Sequence, residues 1–226
     1  MRGLEPIYRT PTRWVLQLFF LVFYRIKVKG LNLIPRKGAA LLVSNHQTFF
    51  DPPMLAMKSK RPIRFIARNS LLTVPILGFI LRIFYCLPID RDKPDAAAFK
   101  LIVQRLNEGE IVTIFPEGTR TPDGNVADLR AGFVRLAARS GCPLLPAVIV
   151  GAYDVWPRRN KYPFFKGKII LKYYRPIPFP ADFKKLDKAQ ARKVECRICD
   201  EISRIFKIRV AAWQRLKRIK GWNYSA

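Results

Sequence analysis

The stretch Ser44-Asn45-His46-Gln47-Thr48-Phe49-Phe50-Asp51 follows the apolar run Gly38-Ala39-Ala40-Leu41-Leu42-Val43 and leads into Pro52-Pro53. A short run rich in Leu and Val reads as a buried strand. Asp51 before two prolines reads as a helix start, with the acid at the cap and proline in the first turn. A strand passing directly into a helix is the unit of an α/β fold. The loop at the strand's carboxyl end is where such folds hold their sites. His46, the only histidine in 226 residues, falls in that loop.

Working outward, short apolar runs alternate with longer helical patterns. Strands are predicted at 39–43, 63–67, 87–89, 111–115, 144–150 and 168–174. Helices are predicted at 52–58, 75–84, 95–107 and 129–139, with a further one at 189–209. Pro94-Asp95 opens the helix 95–107, and Gly109 lies just past its end. The pattern predicts an α/β fold, a mixed central sheet flanked by helices. Three parts are expected: an N-terminal helical segment at 1–29, an α/β core at 30–180, and a basic helical extension at 181–226 packed on the core.

The chain carries 42 Lys and Arg against 16 Asp and Glu, a formal charge of +26. So large a surplus implies an anionic partner: nucleic acid, an acidic membrane surface, or phosphate-bearing substrates. Residues 157–220 hold 20 of the basic residues and 5 acidic ones, interleaved with aromatics. Charge alone does not choose among these partners or a merely solvated basic face. Cys196 and Cys199 form a C-x-x-C with no second ligand pair, so the four cysteines read as reduced structural thiols.

No cleavable leader is expected, because no small-residue cleavage site follows an apolar core near the start. The apolar stretch 14–24 covers about 16 Å as a helix, short of the roughly 30 Å hydrocarbon core of a bilayer. Arg9 and Arg13 precede it and Arg25, Lys27 and Lys29 follow. Such a helix suits the membrane interface, and a buried core helix is the alternative. The second apolar stretch, 71–81, is also too short to span.

On spacing alone, His46 and Asp51 admit two readings. Asp51 accepts the imidazole N–H and makes His46 a general base, or Asp51 only caps its helix. No G-x-S-x-G elbow and no second histidine are present. A second constellation is Thr113-Ile114-Phe115-Pro116-Glu117-Gly118-Thr119-Arg120, ending a strand. Gly118 allows close backbone approach, and the Arg120 guanidinium fits two phosphate oxygens. Glu117 is expected to orient Arg120 or a substrate hydroxyl. An ordinary turn with an internal Glu–Arg pair is the alternative. The third is Leu87-Pro88-Ile89-Asp90-Arg91, another strand ending in a cation.

Together these blocks resemble the glycerophospholipid acyltransferase family, which includes the 1-acylglycerol-3-phosphate acyltransferases. The family's first block is matched by Asn45-His46 through Asp51, its second by Ile89-Asp90-Arg91, its third residue for residue by Phe115 to Arg120. Its fourth is matched by Leu145-Pro146-Ala147-Val148. All four occur in order over roughly residues 30–180.

The resemblance implies that His46, held by Asp51, deprotonates an acceptor hydroxyl that attacks the thioester of acyl-CoA or an acyl carrier protein. It implies Arg91 and Arg120 on the acceptor's phosphate, with Glu117, Gly118 and Thr119 shaping the site. No metal, cofactor or covalent intermediate is implied. The acceptor it implies is a lysophospholipid, foremost 1-acylglycerol-3-phosphate, with another lysolipid, such as an amino-acid-containing one, as the alternative. The partners implied are the acyl donor and an anionic membrane surface, with the chain monotopic or peripheral on its cytoplasmic face and no nucleic acid bound. The chain departs from the family pattern at Tyr85-Cys86, where glycine is common, at Thr121-Pro122, which replaces Ser-Arg, and at Arg130-Ala131-Gly132, where a Lys-rich turn is usual.

Overall fold

A computed structural model describes residues 5–68, 72–73, 78, 81, 86–89, 95–180 and 182–222. Seven strands form one sheet: β1 (Lys27–Lys29), β2 (Ala40–Ser44), β3 (Ile63–Arg68), β4 (Cys86–Ile89), β5 (Ile111–Ile114), β6 (Leu144–Val150) and β7 (Ile170–Tyr173). Their order is β1-β7-β6-β2-β5-β3-β4. The five strands from β6 to β4 are mutually parallel, β7 runs antiparallel to β6, and β1 runs parallel to β7. The mixed sheet is as the sequence predicts.

Every residue of β2 and β6 is buried. That is why their sequences are continuous apolar runs rather than alternating ones: helices cover both faces. One face packs Leu42, Leu145 and Ile149 against α1 (Glu5–Tyr24), α2 (Asp51–Ala56) and the short α5 (Ala152–Val155). The other packs Leu41, Val43 and Val148 against α3 (Asp95–Asn107), α4 (Gly132–Ser140) and α6 (Lys188–Lys220).

Several boundaries differ from the expectations. β1 was not anticipated, because a three-residue edge strand reading Lys-Val-Lys carries no apolar run. It joins the sheet through β7, so residues 27–29 pair with the core. Helix α1 starts at Glu5 rather than Trp14 and contains Pro11. Its polar residues have tertiary work: Arg13 Nη2–H and Gln17 Nε2–H donate to the Met57 carbonyl at 3.0 and 2.6 Å, closing the carboxyl end of α2. Phe20 and Tyr24 are buried against the sheet, while Trp14, Val15, Leu18, Leu21 and Val22 are exposed. Among the described residues, no helix is long and apolar enough to cross a membrane.

Helix α6 runs to Lys220, eleven residues past the expected end. The seam Ile198, Ile202, Phe206, Val210, Trp213 keeps helical spacing throughout and is buried. A capping box between Asp187 and Gln190 starts it, and Gly221, at φ 60°, ends it. Most of the expected helix 75–84, and Arg91 of the second block, lie outside the described residues.

Candidate active site

The site forms where the carboxyl ends of the adjacent parallel strands β2 and β5 release their loops. Asn45 fixes the first loop. Its side chain donates to the Ile149 carbonyl and accepts the Ile149 N–H, both at 2.8 Å. The two bonds continue the β2–β6 ladder past the last paired strand residue. Gln47 accepts the N–H groups of Ala152 and Tyr153, each at 3.2 Å, at the start of α5. The residues on either side of His46 are therefore pinned by their side chains to neighbouring backbone.

His46 Nδ1 lies 2.7 Å from Asp51 Oδ2. That oxygen also accepts the backbone N–H of Gln47 at 2.6 Å and of Thr48 at 2.9 Å. The Thr48 hydroxyl donates to Oδ1 at 3.2 Å. Asp51 is fully buried, whereas the His46 side chain is 20% exposed. A carboxylate out of reach of water needs such a set of donors. Asp51 does not cap its helix as expected. Phe50 occupies the cap without a side-chain bond, Asp51 is the first helical residue, and its carboxylate folds back over the preceding loop. Of the two alternatives left open by spacing, the structure shows the first: the carboxylate meets the imidazole and closes the tight loop before the helix. The imidazole lies flat on the Phe115 ring, centroids 4.1 Å apart at 17°. With Nδ1 engaged by Asp51, Nε2 is the nitrogen left for chemistry.

The loop after β5 locks onto the first one. Glu117 Oε1 accepts the His46 N–H at 2.7 Å, and Oε2 accepts the Ala127 N–H at 2.9 Å. Thr121 N–H donates to the His46 carbonyl at 2.8 Å. Burial raises the Glu117 pKa, outweighing the stabilisation of the carboxylate by the Ala127 and His46 N–H groups. Glu117 therefore does not orient Arg120. Both its oxygens are committed to backbone.

Gly118 has φ 73°, and a Cβ there would lie 3.1–3.3 Å from the Arg130 guanidinium. Thr119 is exposed beside it. The Arg120 guanidinium sits 3.6 Å over the Phe49 ring. Among the described residues no carboxylate is within ion-pair reach of it. Partial burial, and then the neighbouring Arg158, lower its pKa. Arg158 also donates to the Arg120 carbonyl at 3.3 Å. Three arginines, Arg120, Arg130 and Arg158, thus lie along the loop that follows Glu117. The structure brings together His46, Asp51, Glu117, Gly118, Thr119 and Arg120. No group of three His, Cys, Asp or Glu side chains among the described residues is arranged to hold a metal ion.

A family model described as Acyltransferase matches residues 25–150, more than half of the chain. The chain belongs to the acyltransferase family. Among curated family relatives, a chloroplast 1-acyl-sn-glycerol-3-phosphate acyltransferase of Arabidopsis thaliana is 29% identical over 158 residues, covering 69% of this chain and 44% of that protein. A 1-acyl-sn-glycerol-3-phosphate acyltransferase of Pseudomonas aeruginosa is 35% identical over 144 residues, covering 62% of this chain and 55% of that one. The chain spans about half the length of the curated relatives it matches. The crystal structure of the 1-acyl-sn-glycerophosphate acyltransferase of Thermotoga maritima superposes with a TM-score of 0.66 at 26% identity, over 92% of this chain and 84% of that one.

Four site residues of this family member escaped the sequence reading: Phe115 as the stacking partner of His46, Gln47 as the anchor to α5, Phe49 under Arg120, and Arg158. The first three lie inside the motifs already quoted, but their contacts are tertiary. The pair Arg158-Arg159 was visible only as part of the basic tail.

Proposed function

We propose that the chain transfers a fatty acyl group from an acyl thioester to the free hydroxyl of 1-acylglycerol-3-phosphate, yielding phosphatidic acid. The observation that carries this is the His46–Asp51 contact: a solvent-reachable imidazole held through Nδ1 by a buried carboxylate, in the same loop as Phe49, over which stacks an arginine, Arg120, with no carboxylate partner among the described residues. His46 Nε2 takes the proton from the acceptor hydroxyl as its oxygen attacks the thioester carbonyl. The tetrahedral intermediate collapses, the C–S bond breaks, and the imidazolium returns its proton to the leaving thiolate. Asp51 holds the ring and stabilises the imidazolium between these steps. Arg120 and the neighbouring Arg158 offer the acceptor's phosphate a paired cationic site.

The exposed apolar side of α1 gives the protein a contact to the bilayer from which the lysolipid enters, as a monotopic or peripheral protein on the cytoplasmic face. The relatives named as 1-acyl-sn-glycerol-3-phosphate acyltransferases support the choice of acceptor.

Purified protein in vesicles, supplied with acyl thioester and 1-acylglycerol-3-phosphate, should release free thiol and form diacyl product, and His46→Ala should abolish both. Product that persists in His46→Ala would overturn the role of His46. No product with any thioester or lysolipid would overturn the reading.

A further inference from the structure

The dipeptide Thr121-Pro122, where the chain departs from the pattern of its family, has no part in the proposed reaction. Its setting gives it one. Thr121 is buried, and its hydroxyl folds the turn that follows Arg120: it accepts the Gly124 N–H and donates to Asp123 Oδ1, both at 3.0 Å. The Thr121 N–H donates to the His46 carbonyl at 2.8 Å. The turn that follows Arg120 is therefore hung on the backbone of the residue proposed as the base.

Tyr153 closes this arrangement from a third segment, α5. Its hydroxyl donates to the Pro122 carbonyl at 2.8 Å, and its N–H donates to Gln47 Oε1 at 3.2 Å. The Tyr153 ring lies against Gly124, where φ is 87° and a Cβ would come within 2.8 Å of ring carbon Cδ1. His46, Gln47, Tyr153, Pro122 and Thr121 thus form a closed circuit of covalent and hydrogen bonds. Helix α5 is itself fixed, because Asp154 Oδ2 accepts the Trp213 Nε1–H at 2.8 Å and Oδ1 pairs with Lys217.

The circuit joins two groups with different tasks. In the proposed reaction His46 acts on the acceptor's hydroxyl and Arg120 on its phosphate, and a short glycerol segment links the two. A shift of about 1 Å between the anchor and the base therefore costs rate. A neutral acceptor has no phosphate and is indifferent to where the guanidinium stands. We propose that Tyr153 is a positioning residue that fixes the Arg120 turn relative to His46, and so sets the preference for a phosphate-bearing acceptor over a neutral one. The inference rests on the acyl-transfer reading and names what fixes its acceptor specificity.

Tyr153→Phe keeps the ring over Gly124 and removes the hydroxyl alone. The natural chain and this variant are compared for kcat/KM with 1-acylglycerol-3-phosphate and with a monoacylglycerol of the same acyl chain. Binding of both lipids without donor is read as well. The preference for the phosphorylated lipid should fall by about three- to tenfold in both measures, the worth of one hydrogen bond. The neutral lipid should change by less than about twofold, as for a substitution away from its contacts. In an Arg120→Ala background, Tyr153→Phe should leave the preference unaltered, since the two residues act through one path. Asp154→Asn is the control for stability: it removes the charge that meets Lys217, lowers the melting temperature, and should leave the preference unchanged. Amide exchange across residues 118–125 should quicken several-fold in Tyr153→Phe. A loss shared equally by the two lipids, an unchanged preference, or a full effect that persists in the Arg120→Ala background overturns the proposal. If the natural chain transfers no acyl group, yet Tyr153→Phe lowers its binding preference and quickens exchange, the positioning role stands and the transfer reading alone fails.

Discussion

Glu117 Oε1 accepts the backbone N–H of His46 at 2.7 Å, across 71 residues of sequence. Its other oxygen accepts the Ala127 N–H, so one buried carboxylate ties the loop after β2 to the loop after β5 and to the segment approaching α4. The position of the imidazole is therefore set from two strands at once, through its own backbone as well as through Asp51.

That arrangement has a pH signature. Burial raises the Glu117 pKa, so the native state holds this proton more tightly than the unfolded chain. Between the ordinary glutamate value and the raised one, unfolding releases the proton, and stability falls as pH rises. Denaturant titrations across this window should show that slope in the natural chain and lose it in Glu117→Gln. Glu117→Ala leaves two N–H groups without their acceptor and should cost about 2–4 kcal/mol in total. A natural chain and a Gln variant with parallel pH profiles would contradict the assignment.

Asp51→Asn separates positioning from folding. Asparagine keeps the size but offers one acceptor oxygen to donors that now use both carboxylate oxygens. The expected loss in kcat is about 10²–10⁴-fold, the usual worth of a correctly held general base. The KM for the acceptor should stay within a few-fold, and steady-state kinetics at varied acceptor reads the split.

Arg120→Ala should raise the KM for a phosphate-bearing lysolipid by about 10–100-fold, the equivalent of 1.4–2.8 kcal/mol for a charge-assisted contact. A neutral monoacylglycerol acceptor should be affected far less. Phe49→Leu removes the ring beneath the guanidinium and should cost about 0.5–1 kcal/mol, a two- to five-fold rise in the same KM. Equal sensitivity of neutral and phosphorylated acceptors would remove Arg120 from the phosphate site.

Two substitutions test the frame. Asn45→Ala leaves the Ile149 N–H and carbonyl without partners in a buried setting and should destabilise the chain by about 2–4 kcal/mol. Gly118→Ala forces a side chain into the left-handed region, at about 1–2 kcal/mol, and brings its Cβ against Arg130. Thermal unfolding of each variant gives the measured cost.

His46, Asp51 and the turn from Glu117 to Arg120 stood out in the sequence because they lie in two short motifs of distinct chemical type, an imidazole five residues before a carboxylate and a Glu-Gly-Thr-Arg turn after an apolar strand. The contacts of Gln47, Phe49, Phe115 and Arg158 are tertiary and leave no such signal. The central strands were legible because a strand buried on both faces is apolar at every position, as β2 and β6 are. What failed was whatever lacked an apolar signal of its own. Strand β1 is Lys-Val-Lys and exists by pairing with β7, and the start of α1, at Glu5, lies outside the apolar stretch 14–24.

Sequence alone determined the α/β class, the order of the motifs, and the excess of positive charge, since these depend on local spacing and composition. Only the tertiary structure decided which side-chain oxygen meets which donor. Glu117 holds His46 rather than Arg120 because the parallel pairing of β2 and β5 brings the two loops together and buries that carboxylate among backbone N–H groups it must satisfy. Likewise only the packing of α1 and α6 on opposite faces of the sheet separates an apolar surface from a basic one.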